Sequence, residues 1–345
     1  MSAGRLQLFK TAWGSGDLDS MLRQAKEAQF DGIEAPAPLD PSERAAFFGT
    51  LRASGLSWIA EVSTCTPVGK YVPTPRLSVA EHLASLREGV ERSLEGAKHG
   101  MPPLFVNTMA GSDSWSATEA LEFHTGVVRL QDKLGVVVVR AEQRAAPLGC
   151  PPDALAPQSV ETHRGRYSYS PWLMRDVLLA LPELRITADF SHWCVVSERF
   201  VLDDEPELLA LTAKHVHHIQ PRVGYNQGPQ VPDPRAPEFT DALAAHERWW
   251  SVLWEGMAAR GYSKFTATPE FGPDGYLQCA PYTRKPVADL WELNTWIGHR
   301  QRERCNAQFS VRAQARNAAH PPRNAAHPPR KALRPMLKPA LRIAL

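Results

Sequence analysis

Residues 184–193 read Leu184-Arg185-Ile186-Thr187-Ala188-Asp189-Phe190-Ser191-His192-Trp193. A short strand-forming run ends in an acid, and a histidine follows three positions later. The same design recurs along the chain, each apolar run alternating with a longer amphipathic segment. Strands are expected at 6–12, 30–35, 57–63, 103–107, 135–139, 184–189, 215–220 and 264–269. Helices are expected at 17–29, 41–54, 78–98, 116–134, 171–181, 205–213 and 238–261. In 17–29, Leu18, Met21, Leu22, Ala25 and Ala28 share one face at helical spacing. Residues 135–139 are Gly-Val-Val-Val-Val, a β-branched run suited to a strand covered on both faces. Eight strands alternating with helices over about 300 residues predict an α/β fold, the (β/α)8 TIM barrel. An open doubly wound sheet is the alternative, but no G-x-G-x-x-G or P-loop follows an early strand.

The 345 residues are 43% hydrophobic and 22% charged, proportions that exclude wholesale disorder. The net charge of +2 divides unevenly, because residues 306–345 carry +8 and no acid, leaving −6 for residues 1–305. A mildly acidic body is not a nucleic-acid-binding face. Residues 316–322 and 323–329 repeat the heptapeptide R-N-A-A-H-P-P. Paired prolines and scarce apolar surface predict a disordered basic C-terminal tail over 305–345, with the barrel confined to 1–304. Residues 331–345 mix Lys and Arg with Leu, Met and Ile, a composition able to touch an acidic membrane or RNA; an inert tail is the simpler reading. Five cysteines (65, 150, 194, 279 and 305) are an odd number without C-x-x-C spacing, so neither a disulfide framework nor a structural zinc site is expected. No apolar run approaches the roughly 20 residues of a membrane span. The N-terminus carries no secretory h-region, and a reducing, cytoplasmic setting is expected.

In such a barrel the chemistry sits at the C-terminal strand ends. Four late segments carry ligand-type residues there: Glu161-Thr162-His163-Arg164-Gly165-Arg166, Ala188-Asp189-Phe190-Ser191-His192-Trp193, His215 through Gly224, and Thr268-Pro269-Glu270-Phe271-Gly272-Pro273. Two glutamates, an aspartate and a histidine-rich strand would converge on one mouth. Carboxylate and imidazole donors suit a divalent ion such as Mn²⁺, Mg²⁺, Co²⁺ or Zn²⁺. That ion polarises a hydroxycarbonyl, and a carboxylate then removes the acidified proton while a second one returns it.

The order E-T-H-R-G-R, D-F-S-H-W, H-I-x-x-R-V-G-Y with G-P-Q-V-P-D-P, then P-E-F-G-P, resembles the xylose isomerase-like TIM-barrel family, which includes sugar-phosphate isomerases and ketose 3-epimerases. The resemblance covers about residues 6–300. It extends to Phe9-Lys10-Thr11-Ala12-Trp13-Gly14, Phe30-Asp31-Gly32-Ile33-Glu34 and residues 281–289. It implies a metal site of Glu, Asp, His and Glu on strands five to eight, of which Glu161, Asp189 and Glu270 match the first, second and fourth. It makes Glu161 and Glu270 the catalytic acid/base pair and His192 a substrate contact. Arg164, Arg166 and Arg222 would face anionic or polyhydroxy groups.

Two features depart from the family. Gln220 stands where the third ligand, a histidine, is expected. His218 lies two residues earlier and so on the same strand face, which leaves either side chain to complete the shell. His215 and His217 would then point to the opposite face and pack. About 20 residues separate Val139 from Glu161, and Pro147, Pro151, Pro152 and Pro157 mark that piece, about 140–160, as a loop insert. Glu142 is the rival to Glu161, which is preferred because its motif continues behind it.

Asn107, in a polar loop with Gly111-Ser112-Asp113, is a candidate for substrate hydroxyls. Glu34 lines the pocket or serves as a turn carboxylate. Trp13 and Trp115 sit near strand ends, where stacking on substrate is open to them. Trp249, Trp250 and Trp254 recur at helical spacing and read as packing. Cys65 and Cys194 read as structural.

The sequence thus predicts a divalent-metal-dependent sugar or sugar-phosphate isomerase or epimerase with a small-molecule substrate, no nucleic-acid partner and a possible homodimer. A dehydratase or lyase using the same chemistry is the nearest alternative. A catalytically degenerate sugar-binding barrel is another. A three-zinc phosphodiesterase acting on abasic DNA is disfavoured by the −6 body.

Overall fold

A computed structural model describes residues 5–66, 77–134, 158–273 and 275–319. Strand β1 (Arg5–Thr11) pairs on one edge with β2 (Gly32–Ala35) and on the other with β8 (Lys264–Ala267), which closes the sheet. Between them run β3 (Ser57–Ser63), β4 (Val106–Met109), β5 (Gln158–Glu161), β6 (Ile186–Ala188) and β7 (Val216–Ile219). Every neighbouring pair is parallel and the order around the barrel is the order in the chain. Helices α1 (Leu18–Glu27), α2 (Pro41–Ser54), α3 (Val79–Leu94), α4 (Ala117–Lys133) and α5 (Pro171–Ala180) fill the crossovers expected of them. So do α8 (Pro206–Ala213) and α9 (Thr240–Ala259), while the short α6 (Ser191–Ser197) and α7 (Val201–Asp204) were not legible as helices.

Alternation along the strands sorts the side chains. Leu6 and Leu8, Trp58 and Ala60, Val160, Ile186 and Phe265 face outward and join one core beneath the helices. Phe9, Ile59 and Phe105 form a separate cluster that fills the barrel itself. Gly32 makes room for it. A Cβ there would meet the Ser57 carbonyl oxygen at 2.3 Å and the Phe9 ring at 2.5 Å, so Gly32→Ala would push the plug out of register. Trp249, Trp250 and Trp254 are buried in α9 and pack on the barrel.

Three expectations are corrected. The fifth strand is β5, Gln158–Glu161; residues 135–139 and Glu142 lie outside the described residues. The insert read at 140–160 therefore gives up its last three residues to a strand. Only Val160 of β5 is apolar, because Ser159 and Glu161 turn into the barrel, so its composition hides it. Second, the chain does not leave helix at residue 305. Helix α10 (Leu290–Ala319) continues there, with Cys305 fully buried, the Phe309 ring 5.1 Å from that of Phe265, and Gln308 donating to the Ser251 carbonyl at 3.1 Å. These barrel contacts stabilise a stretch that composition alone marks as unstructured. Third, His217 does not oppose His218. The β6–β7 register shifts between Ile186 and Thr187, a bulge that skips His217. Both imidazoles then lie against Phe105, at 4.6 and 5.1 Å between ring centroids.

Candidate active site

Above the Phe9–Ile59–Phe105 plug the inward positions turn acidic. They are Glu34 on β2, Glu61 on β3, Asn107 on β4, Glu161 ending β5, Asp189 just past β6, Gln220 and Arg222 past β7, and Glu270 past β8. Apart from Glu61, each is nine-tenths buried or more. Each takes its position from strand alternation, which brings residues far apart in sequence to one mouth.

Glu161, Asp189 and Glu270 each bring a carboxylate oxygen within 4.8 Å of the others. Glu161 sits in the same relation to His163 and His192. His163 had no role assigned from sequence. Its signal was the i+2 spacing from Glu161, which turns both side chains one way.

Arg222 is the positive centre of this cluster. Its guanidinium donates to an Asp189 carboxylate oxygen, to Ser191 Oγ at 3.0 Å, to the Glu270 carbonyl at 3.1 Å and to His192 Nε2 at 2.8 Å. The Glu270 carboxylate lies 3.7 Å away. Burial alone would drive the proton from Arg222, but Asp189 and Glu270 more than reverse this and hold it charged. Because an arginine only donates, His192 Nε2 must accept, which assigns the ring proton to Nδ1. Among the described residues that Nδ1–H is buried without a protein partner, as are Glu161 Oε1, Asn107 Oδ1 and Gln220 Oε1. Native proteins rarely leave so many polar atoms unpaired in one place.

The carboxylates titrate far from their usual range. Burial, then the nearby Asp189, Glu34 and Glu61, push Glu161 well up. Burial and Glu161 do the same to Glu270, against the pull of Arg222. Asp189 is raised by burial despite Arg222 and two hydrogen bonds from Ser191. Glu61 rises to about 8 through burial and the neighbouring Glu34. Glu34 moves the other way. Burial would raise it, but bonds from His218, Thr268 and Asn107 outweigh burial. Burial also keeps His163 and His192 neutral.

The remaining sequence candidates separate into groups. Asn107 Nδ2 bridges Glu34 at 2.7 Å and Glu161 at 3.3 Å, bracing two carboxylates rather than waiting for a hydroxyl. His218 is held through Nδ1 by Thr266 at 2.8 Å and through Nε2 by Thr268 at 3.0 Å, with Glu34 at 3.4 Å, so both nitrogens are engaged away from the carboxylate triangle. Arg166 is buried and ties loops together, donating to the Thr64 carbonyl at 2.8 Å, the Gly111 carbonyl at 3.1 Å and Thr66 Oγ1 at 2.6 Å. Arg164 stands half-buried at the rim, its guanidinium 4.6 Å over the Tyr276 ring. Trp13 meets Tyr276 edge-on at 4.8 Å, and both rings flank the Arg222 guanidinium, at 5.7 and 4.7 Å. Gly272 permits this, since a Cβ there would meet the Trp13 ring at 1.9 Å. Trp115 is drawn away into the outer core, donating to the Leu77 carbonyl. Tyr276 and Glu61 were not found by sequence reading. An acid between Ala60 and Val62 in an apolar strand was the available signal for Glu61.

Comparison with known proteins adds the architecture. No protein-family model matches the sequence, and no curated protein does. Among solved structures, an AP endonuclease, family 2, from Brucella melitensis aligns over 86% of this chain and 98% of its own at 15% identity and TM-score 0.52. A xylose isomerase-like TIM barrel protein from Mycobacterium smegmatis, solved with magnesium, aligns over 89% and 97% at 13% identity and TM-score 0.50. The chain has the closed (β/α)8 TIM-barrel fold that these two structures share. At these identities the likeness speaks for the fold alone. Within this barrel, the chemistry must be argued from the mouth itself.

Proposed function

We propose that the protein is a divalent-metal-dependent isomerase or epimerase of a sugar, sugar phosphate or related hydroxycarbonyl. The observation that carries this reading is the Glu161–Asp189–Glu270 triangle, three buried carboxylates within 4.8 Å of one another. Such a group is self-repulsive, and Glu161 Oε1 has no hydrogen-bond partner among the described residues. A divalent cation answers both conditions, and an all-oxygen set suits Mg²⁺ or Mn²⁺. Glu161, Asp189 and Glu270 would hold it, with the unpaired Gln220 Oε1 as the further oxygen. Histidines 163 and 192 are the competing donors around Glu161, but Arg222 keeps the His192 proton on Nδ1 and makes that edge a donor. The ion supplies Lewis acidity, which lowers the pKa of a C–H beside a carbonyl.

The chain's own residues do the rest. Burial raises the pKa of both Glu161 and Glu270, the direction that strengthens a carboxylate as a proton acceptor. One takes the proton from the substrate carbon and the other returns it. His192 Nδ1–H donates to a substrate oxygen, Arg164 waits at the rim, and Trp13 with Tyr276 forms an apolar wall that excludes water. A nucleic-acid substrate is disfavoured, because residues 1–305 carry a net charge of −6 and offer no basic face to a polyanion.

The test starts with metal content by plasma mass spectrometry on protein purified without chelator or nickel resin, beside Glu270→Gln. About one divalent ion per chain, lost in the variant, is expected. Ketoses and ketose phosphates are then screened in D₂O for deuterium wash-in at carbon. Loss of a hydroxyl in place of exchange would move the reading to a dehydratase. A mouth that stays empty after soaking in Mn²⁺, Mg²⁺, Co²⁺ and Zn²⁺ would overturn it in favour of a sugar-binding barrel.

A further inference from the structure

Lys10 lies on the outward face of β1, in line with Leu6 and Leu8, and is only 5% exposed. A lysine so buried ordinarily has an acid beside it. Here no hydrogen bond or ion pair reaches Nζ among the described residues. Its close contact is the Trp291 ring, 3.7 Å from Nζ to centroid. A cation over an indole is a weak substitute for a counter-charge.

The ammonium opens into a cavity of about 230 Å³. Its lining includes Lys10, Gly16, Gln24, Asp289, Leu290 and Trp291. Leu290 and Trp291 begin α10, a helix of 30 residues, so their backbone N–H groups have no intrahelical acceptor. Asp289 caps the next N–H, that of Glu292, at 2.8 Å, and its carboxylate is on the exposed rim. Two independent features, a helix N-terminus and an unpartnered buried ammonium, thus meet in one small cavity. Both favour negative charge. The other lining groups are mostly occupied: Ser15 Oγ donates to the Thr11 carbonyl, and both ends of the Asn294 amide serve Phe271.

We propose that this cavity is a binding site for a small oxyanion, a phosphate or carboxylate group, whose counter-charge is Lys10 and whose second contact is the start of α10. The site is separate from the carboxylate mouth. Trp13 stands between them, lining the cavity and packing against Tyr276. The cavity is small beside the roughly 300–1,000 Å³ of drug-sized ligand pockets, which suits a small ion or a terminal phosphate. Burial lowers the Lys10 pKa to about 8, the expected state of an ammonium whose partner is not part of the chain.

The experiment compares the full-length protein with Lys10→Met, which keeps the stem over Trp291 and removes the charge. Melting temperature is followed against inorganic phosphate and, separately, acetate, at matched ionic strength. With a millimolar Kd, about 50 mM of the binding anion raises the wild-type Tm by ~2–4 °C. Lys10→Met should lose at least two-thirds of that rise. A response to phosphate alone identifies a phosphate-type occupant, and a response to acetate alone a carboxylate. Equal rises in both proteins would place the anion elsewhere and overturn the proposal, as would no rise in either. Should Lys10→Met fail to fold, reductive methylation of the wild type decides. Lys10 should react at least threefold more slowly with anion present while the exposed Lys264 is unaffected, and an unchanged Lys10 rate overturns the site.

Discussion

The guanidinium of Arg222 donates to the carboxylate of Asp189 at the centre of a mouth lined by four other acids, Glu34, Glu61, Glu161 and Glu270. It is the fixed positive charge of the site. Arg222→Met would leave Asp189 and Glu270 buried without their cation. In chelator-treated protein it should cost about 3–5 kcal/mol of stability, seen as a lowered denaturation midpoint. Added Mn²⁺ should then restore more of the midpoint in the variant than it adds to the wild type. An unchanged midpoint without metal would show that the pair contributes nothing.

Glu61 supplies a pH dependence whose sign is fixed. Its pKa is about 8 in the fold against 4.5 in the unfolded chain. Between these values the native state holds a proton that the unfolded state has lost. Stability from this group is therefore full below the lower value and disappears as pH rises toward 8. Glu61→Gln should remove this loss, making the metal-free variant more stable than wild type at pH 8 by about 2 kcal/mol, after allowance for partial exposure, and similar to it near pH 5. Urea titrations at the two pH values check it, and parallel curves at both would contradict it.

Glu161→Gln should abolish divalent-ion binding and lower proton exchange by about 10²–10⁴. His163→Ala separates the two clusters that share Glu161. An ion held by the carboxylate triangle keeps its affinity within about threefold in that variant, whereas one held by the imidazoles loses tenfold or more. Isothermal titration with Mn²⁺ and Zn²⁺ reads both variants.

His218→Ala is expected to leave metal affinity nearly unchanged, because Thr266 and Thr268 already occupy both ring nitrogens. Gln220→Ala should weaken it, since Gln220 Oε1 has no protein partner among the described residues. Equal effects from the two variants would contradict this division.

The end of α10 is a structural part of the barrel. Truncation after Arg304 removes Cys305, Gln308 and Phe309 from their contacts with the core and should cost about 3 kcal/mol or more. Truncation after Ala319 should leave the melting temperature within a degree or two of wild type. Calorimetry of the two truncated proteins distinguishes a packed helix from a dispensable tail.

Much of the architecture was readable from the chain because strands and helices bury their faces at periods of two and 3.6, and those periods are local. Residues 184–189, 57–63 and 264–269 advertised themselves in this way. Asp189 and Glu270 followed from their places at strand ends, and Glu161 from the motif that continues behind it. Strand β5 escaped because its inward face is polar, and α10 ran past residue 305 because Cys305 and Phe309 find partners on distant elements. What the sequence by itself determined was the barrel and a short set of candidate acids for its mouth, with Glu142 still a rival to Glu161. Only the tertiary structure decided which charges meet. It put Arg222 beside Asp189, turned Arg166 into a loop strut, engaged both nitrogens of His218, and left Lys10 without an ion pair among the described residues. The physical reason is that electrostatic partnership depends on distance and burial in space, and neither quantity is carried by residue spacing.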